Sequence, residues 1–297
     1  LWAARWRRAP RRAALLRTLG VYALLLAPHL VFRQAYYGDW LPNTFHAKVG
    51  WNVAQVQRGA RYAWDYGGAL ISLPVLLLGA VGARAGGWRR VALAVAVTYA
   101  LYVVAVGGDF APTGRFVQVP LPFLAVLVQS ALAGLRGALR SRRRLSVAVP
   151  LILACGAALW CTIAGRQRLE QRRWPASYAR DLAARRFMGT WLHDMLPPDA
   201  TVAVGSIGAI GYYSNLPILD TFGLTNREIG RKEVEWMGRA SAGHEKGDAD
   251  FVLQRAPRII VFDRGFLAPR ALGLEEFLGR ARSPTEQLLV DDPRFFA

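Results

Sequence analysis

Long apolar blocks separated by short polar connections dominate the first half of the chain. Five of these blocks approach the length of about 20 residues that a helix needs to cross a bilayer. They cover about residues 13–32, 66–83, 91–106, 116–135 and 145–164. This pattern predicts an α-helical transmembrane bundle of about five spans over residues 1–165.

The pattern changes after residue 165, where the apolar runs become short. Residues 176–195 show helical apolar spacing. Three short apolar runs bounded by turn residues are typical of strands, at 201–205, 216–223 and 258–263. Strands separated by helical stretches predict a small, soluble α/β domain with a mostly parallel three-stranded sheet over residues 166–297.

The distribution of charge gives the predicted bundle an orientation. The chain has a net charge of +18, and nearly all of it lies in the first half, whose only acids are Asp39, Asp65 and Asp109. The acids fall in the connections at about 34–65 and 107–115, whereas the other connections are rich in arginine and contain no acid. Because basic connections stay in the cytoplasm, the two acidic loops and the C-terminal domain are predicted to be extracytoplasmic. The protein is then a multi-pass protein of the inner (cytoplasmic) membrane, and nucleic acid is not an expected partner.

The first predicted outer loop contains the densest group of reactive side chains. Its sequence YYGDWLPNTFHAK, at residues 36–48, holds Asp39, Asn43, His46 and Lys48. The Gly-Asp and Leu-Pro pairs predict a turn that exposes these side chains. The alternative is an ordinary interfacial loop, in which the aromatic residues anchor the chain and the charges are solvated.

The second predicted outer loop, VGGDFAPTGRF at residues 106–116, contains Asp109 and Arg115. Its paired glycines permit close approach of the backbone to a neighbour. Asp109 and Arg115 are candidates for ligand contacts, or for an ion pair that only fastens the loop. Asp65 is predicted to be the N-cap of the second span rather than a reactive group.

No motif in the sequence requires an organic cofactor. Gly205, Gly208 and Gly211 follow a predicted strand, but their spacing is not that of the GxGxxG dinucleotide fingerprint. His244 lies in a polar GHEK cluster without a second ligand at the spacing of a metal site. The sequence leaves a requirement for a divalent metal open.

Four motifs together resemble polytopic bacterial glycosyltransferases of the GT-C superfamily, in particular the terminal β-(1→2)-arabinofuranosyltransferase type. They are the two outer-loop motifs, GAIGYYSNLPILDTFGLTN at 208–226 and GHEKGDADFVLQRAPRIIVF at 243–262. Such enzymes transfer a sugar from a polyprenyl-phosphate donor to a cell-envelope glycan outside the cytoplasm. The resemblance implies a GT-C-like bundle followed by a soluble domain. The donor, a glycan acceptor and the lipid bilayer are the implied partners, and arabinofuranose is one candidate for the sugar.

The resemblance also implies roles for the polar loop residues. The anionic donor needs cations, for which Lys48, Arg115 and His46 are candidates. The sugar needs hydrogen-bonding groups, such as the carboxylates in the two loops. The six candidate substrate-binding residues are therefore Asp39, Asn43, His46, Lys48, Asp109 and Arg115.

The catalytic base of GT-C enzymes generally lies in their first extracytoplasmic loop. Residues 1–12 are basic and cannot supply that loop. The chain is therefore expected to be the C-terminal portion of a longer protein whose catalytic base precedes Leu1. Two other functions stay open. A transporter or flippase would carry polar residues within its spans and an internal repeat. A membrane-anchored binding domain would not need carboxylates in both outer loops.

Overall fold

The structure is a computed structural model, which describes residues 11–67, 86–111, 114–166, 169–262 and 271–296. The helices of residues 1–165, here called the membrane half, are α1 (Arg11–Tyr37), α2 (Asn43–Lys48), α3 (Val53–Gly67), α4 (Trp88–Ala105), α5 (Arg115–Gln118), α6 (Leu121–Ala138) and α7 (Arg143–Arg166). The elements of residues 166–297, here called the tail, are α8 (Leu169–Met195), β1 (Val202–Val204), α9 (Ile207–Ser214), β2 (Ile218–Asp220), α10 (Arg227–Arg231), α11 (Ala249–Gln254), β3 (Ile259–Val261), α12 (Leu274–Leu278), α13 (Pro284–Val290) and a 3-10 turn (Pro293–Phe295).

Three of the described helical segments are long and apolar enough to cross a membrane. They are Ala13–Tyr37, Trp88–Ala105 and Arg115–Ala138, which correspond to the predicted first, third and fourth spans. The first of them is not buried against the rest of the described protein, so its apolar side chains require a lipid or protein neighbour. These helices are consistent with a membrane protein.

The other two predicted spans are not confirmed. Nearly all of the second, about 66–83, lies outside the described residues. The fifth, about 145–164, falls within the 24-residue helix α7, in which Arg144–Gly156 forms an apolar stretch.

Much of the predicted first outer loop is helical rather than irregular. Helix α3 begins at Val53 and buries Gln55, Gly59 and Tyr62 on one face at helical spacing. Asp65 therefore lies inside a helix that has already begun, and its predicted role as an N-cap is wrong. The buried face of α3 has few apolar residues, so the pattern of apolar blocks does not indicate this helix.

Helices α3 and α4 pack closely because a glycine lies at their contact. A Cβ atom added at Gly59 would lie 2.1 Å from the carbonyl oxygen of Val104. No side chain fits in this space, so the backbones of the two helices are in direct contact. This contact holds the C-terminal end of α4, and the loop that follows it, against α3.

The tail contains the predicted parallel sheet, and all three predicted strands are confirmed. The strand order is β2-β1-β3, and both pairings are parallel, with Val202 opposite Ile218 and Ile259. Residues of β1 are buried on both faces of the sheet: Val202 and Val204 belong to the core formed with α8 and α9, and Ala203 to the core formed with α11 and α13. A parallel sheet covered on both faces is expected to have such continuous apolar strands. The division of the chain at residue 165 stays a prediction.

Candidate functional site

The YYGDW segment forms the predicted turn directly after the first membrane helix. Gly38 has a φ of +64°, a conformation that glycine adopts without strain. The next residue closes the turn, because an Oδ1 atom of Asp39 accepts a hydrogen bond of 3.0 Å from the backbone N–H of Leu41. Tyr36, Tyr37 and Trp40 around the turn are more than half exposed, as in the aromatic belt at a membrane surface.

Asp39 joins the turn to the tail. Its Oδ2 atom lies 2.9 Å from His46 Nε2 and also accepts a hydrogen bond from the guanidinium of Arg231. These contacts make Asp39 the centre of a polar cluster that includes α2 and α10. The hydrogen bond from the Leu41 amide, followed by those from His46 and Arg231 and opposed by partial burial, lowers the pKa of Asp39 to about 2.

The lowered pKa predicts how Asp39 affects stability at acidic pH. Its ordinary value is 3.8, so the ionised carboxylate stabilises the folded protein above that pH and loses this effect as the pH falls towards 2. We expect the Asp39→Asn variant to have a lower thermal unfolding midpoint than the parent at about pH 5, with the difference shrinking between about pH 4 and pH 2. A difference that stays undiminished at the lower limit would contradict this linkage.

A cavity of about 420 Å³, here called the interfacial cavity, opens beside the turn. Its lining residues are Arg33, Tyr37, Asp39, Leu41, Pro42, Asn43, Thr225, Arg227 and Arg231. Three of these side chains are cationic and one is anionic, so the lining is positive overall. Arg33 donates to the carbonyl of Trp40 at 3.1 Å and Arg227 to that of Tyr37 at 3.2 Å. Because a guanidinium has five N–H donors, these contacts leave donors on both arginines for an anionic ligand.

Asn43 fastens the membrane half to the tail. Its Nδ2 atom lies within 2.8–3.2 Å of three carbonyl oxygens in one loop, those of Gly223, Leu224 and Asn226. The buried carboxylate of Asp220 holds this loop, since it accepts backbone hydrogen bonds from three residues that follow it. Asn43 lines the interfacial cavity, but its donors are used by the tail.

The remaining predicted site residues lie elsewhere. Asp109 and Arg115 form a two-point ion pair, with Nε–Oδ2 at 2.5 Å and Nη2–Oδ1 at 2.8 Å, which corresponds to the loop-fastening alternative. The stem of Lys48 packs against Gly243. Neither Lys48 nor the ion pair is among the described residues that line the interfacial cavity. The described residues therefore do not bring Asp39, Lys48, Asp109 and Arg115 together at one cavity.

The paired glycines of the second outer loop do permit close approach, as predicted. Gly107 and Gly108 have φ angles of +81° and +73°. A Cβ atom at Gly107 would lie 2.6 Å from Gln55, and one at Gly108 would lie 2.6 Å from Tyr62. The loop backbone thus rests directly on α3.

Sequence reasoning missed a buried ion pair that connects α3 to the tail. Arg58 Nη1 lies 2.7 Å from Glu245 Oε2. The same guanidinium donates to the carbonyls of Gly107 and Ala240. Glu245 is fully buried, and its Oε1 atom accepts hydrogen bonds from the amides of Gly238 and Ala240. The available signal was an arginine on the same side of α3 as the buried Gln55 and Gly59.

A second cavity, of about 750 Å³ and here called the sheet-edge cavity, lies between the tail and the second outer loop. Phe110 lines it from the membrane half, and all the other described lining residues belong to the tail. The lining includes Phe110, Asp181, Arg185, Ser206, Phe222 and His244. The described residues contain no group of three or more His, Cys, Asp or Glu side chains that could hold a metal ion.

Comparison with known proteins identifies a similarity in the tail. Residues 172–290 match the model of a domain of unknown function (DUF8728). This match covers less than half of the chain, from within α8 to the end of α13. No curated protein and no solved structure matches the chain. The similarity assigns no chemistry to the tail.

Proposed function

We propose that the protein is a membrane glycosyltransferase of the GT-C type. It would transfer a sugar, with arabinofuranose as the first candidate, from a polyprenyl-phosphate donor to a glycan of the cell envelope. The proposal places the protein in the inner membrane, with the turn at Asp39 and the tail outside the cytoplasm. The basic connections on the opposite side of the predicted bundle support this orientation.

The interfacial cavity is the observation that carries the proposal. It lies where the first membrane helix ends at Tyr37, at the level of the exposed aromatic residues. A polyprenyl-phosphate donor presents its phosphate at this level, because its hydrocarbon chain stays within the bilayer. Arg33, Arg227 and Arg231 offer the planar N–H donors that suit a phosphate.

The meeting of distant sequence motifs gives additional support. The first outer-loop motif contacts the motif at 208–226 through Asn43. The second outer-loop motif contacts the motif at 243–262, where the rings of Phe110 and His244 lie 4.9 Å apart. All four motifs that carry the resemblance to GT-C enzymes therefore lie at the junction of the membrane half and the tail.

Sugar transfer requires stabilisation of the leaving phosphate and removal of a proton from the acceptor hydroxyl. Loss of the lipid phosphate leaves negative charge on the leaving group, which the arginines of the interfacial cavity would stabilise. Asp39 would hold Arg231 in position, since it binds one edge of that guanidinium. A general base must also remove the proton of the acceptor hydroxyl, and none of the lining residues is assigned that role.

Replacement of Arg227 tests the proposal, because Arg227 lines the cavity without contacting Asp39. We expect Arg227→Gln to raise the KM for a polyprenyl-phosphate arabinofuranose donor by about tenfold or more, since a charge-assisted hydrogen bond contributes about 1.5–3 kcal/mol. The measurement is transfer of labelled sugar to a glycan acceptor by membranes that contain the whole protein. Arg227→Lys should restore part of the loss, because it keeps the charge but not the planar group.

Arg255→Gln is the matched control. Arg255 is an exposed arginine of the tail that pairs with Glu228 at 3.7 Å and does not line the cavity. Its replacement should leave the donor KM unchanged. An unchanged donor KM in Arg227→Gln, at equal protein abundance, would contradict the proposal that the interfacial cavity binds the donor.

A further inference from the structure

The sheet-edge cavity lies at the edge of the sheet where parallel α/β domains commonly bind ligands. Ser206 follows β1 and Phe222 follows β2, so both lie just beyond the carboxyl ends of their strands. In open parallel sheets, ligands bind outside this edge, where the strand order reverses. The order β2-β1-β3 has such a reversal at its central strand.

Helix α8 turns a row of polar side chains towards the cavity. Tyr178, Asp181 and Arg185 all line it and are spaced three and four positions apart, which places them on one face of the helix. The Nε atom of Arg185 is buried and has no hydrogen-bond partner among the described residues. A buried donor without a partner costs free energy, so a ligand that supplies an oxygen atom here would relieve that cost.

The opposite wall of the cavity is aromatic and can accept a hydrogen bond. The ring of His244 lies between those of Phe110 and Phe222, at centroid distances of 4.9 and 4.7 Å. Its Nδ1 atom lies 3.3 Å from the carbonyl oxygen of Ala242 and must donate to it, because a carbonyl only accepts. Burial lowers the pKa of His244, so the ring is neutral at neutral pH and its Nε2 atom is an acceptor.

These groups suit a neutral polyol, and the lining as a whole mixes three arginines with two aspartates. A sugar hydroxyl can accept from Arg185 and donate to His244 or Asp181, whereas an ionised carboxylate can donate to neither. Aromatic walls with a few polar groups are typical of ligand cavities, and the cavity volume is within their usual range of roughly 300–1,000 Å³.

We propose that the sheet-edge cavity binds a neutral oligosaccharide through Arg185, His244 and Phe110, and that this oligosaccharide is the acceptor glycan. Only the second statement rests on the proposed function. A glycan in this cavity contacts both halves of the protein, since Phe110 belongs to the second outer loop and Arg185 to the tail. The cavity therefore selects the acceptor, while the interfacial cavity takes the donor.

Calorimetric titration of the whole detergent-solubilised protein tests the site. The probes are short, neutral oligosaccharides of arabinofuranose, galactose, glucose and mannose, with an oligogalacturonate as the anionic comparison. We expect saturable binding of at least one neutral probe and about tenfold weaker binding in Arg185→Gln, the effect of one lost hydrogen bond from a charged donor. Phe110→Ala should also weaken binding. Because the Phe110 ring is exposed, we expect this variant to fold as the parent does.

Arg186→Gln is the matched control, because the neighbouring Arg186 stacks on Tyr213 and does not line the cavity. Binding that is lost in Arg185→Gln and kept in Arg186→Gln supports the site even if no sugar transfer is detected, an outcome that would count against the proposed function alone. Sugar transfer with an unchanged acceptor KM in Arg185→Gln would overturn the site and leave the proposed function standing. Failure of every neutral probe to bind, or preferential binding of oligogalacturonate, would also overturn it.

Discussion

Replacing Glu245 with alanine should destabilise the protein by about 3–5 kcal/mol, the usual cost of removing one partner from a buried ion pair. The variant leaves Arg58, whose side chain is only 18% exposed, without its carboxylate. It also leaves the amides of Gly238 and Ala240 without their acceptor. Thermal unfolding of the detergent-solubilised protein, followed by tryptophan fluorescence, should show a much lower midpoint.

Glu235→Ala is the control for the loss of a glutamate from the same part of the tail. Glu235 is exposed, so its replacement should change the free energy of unfolding by no more than about 0.5 kcal/mol. A double-mutant cycle adds a second test. A buried Arg58 lowers the free energy of unfolding when it has no carboxylate partner. Arg58→Met should therefore destabilise the Glu245→Ala variant less than it destabilises the parent protein. Strictly additive effects would contradict a direct coupling of the two side chains.

Replacing Gly59 with valine should prevent normal packing of α3 against α4. The added Cβ atom would lie 2.1 Å from the carbonyl oxygen of Val104, and a backbone atom cannot move aside as a flexible side chain can. The cost should therefore reach or exceed the upper end of the roughly 1–3 kcal/mol that overpacking typically costs. Size-exclusion chromatography of the solubilised protein should show loss of the monodisperse peak, and its thermal midpoint should fall.

Gly134→Val is the matched control, since Gly134 lies in the apolar helix α6 and a Cβ atom there would meet nothing within 4 Å. Both variants place a β-branched residue inside a helix, so they carry a similar propensity cost. Equal yields and thermal midpoints for the two variants would contradict the close backbone contact between Gly59 and Val104.

The sequence predicted those elements whose apolar pattern is strong. The first membrane helix and the strands of the tail follow from long apolar blocks and short apolar runs, and β1 is apolar throughout because helices cover both of its faces. Helix α3 was missed because its buried face contains Gln55, Gly59 and Tyr62. Such a face is stabilised by hydrogen bonds and backbone contact, which hydrophobic periodicity does not detect.

The site was predicted only where its residues are close in sequence. The turn at Asp39 and its neighbour His46 lie within eight positions, so loop composition was enough to find them. Arg227 and Arg231 belong to a different part of the chain, and their place beside Asp39 depends on how α10 docks against α2. Asp109 and Arg115 are also close in sequence, but they form an ion pair with each other and do not line the interfacial cavity.

The hydrogen bonds from α3 to the tail also determine the order in which the protein can assemble. Asn52 and Arg58 bind carbonyl groups that stand 185 and 182 positions later in the chain. At translation rates of about 5–20 residues per second, their partners emerge roughly 10–40 s after α3 itself. During that interval Asn52 and Arg58 lack these carbonyl partners, although Arg58 can already donate to Gly107. Docking of the tail on α3 is therefore a late step in assembly, and a ribosome that stalls before residue 236 leaves Asn52 and Arg58 without the carbonyl groups that they bind in the folded protein.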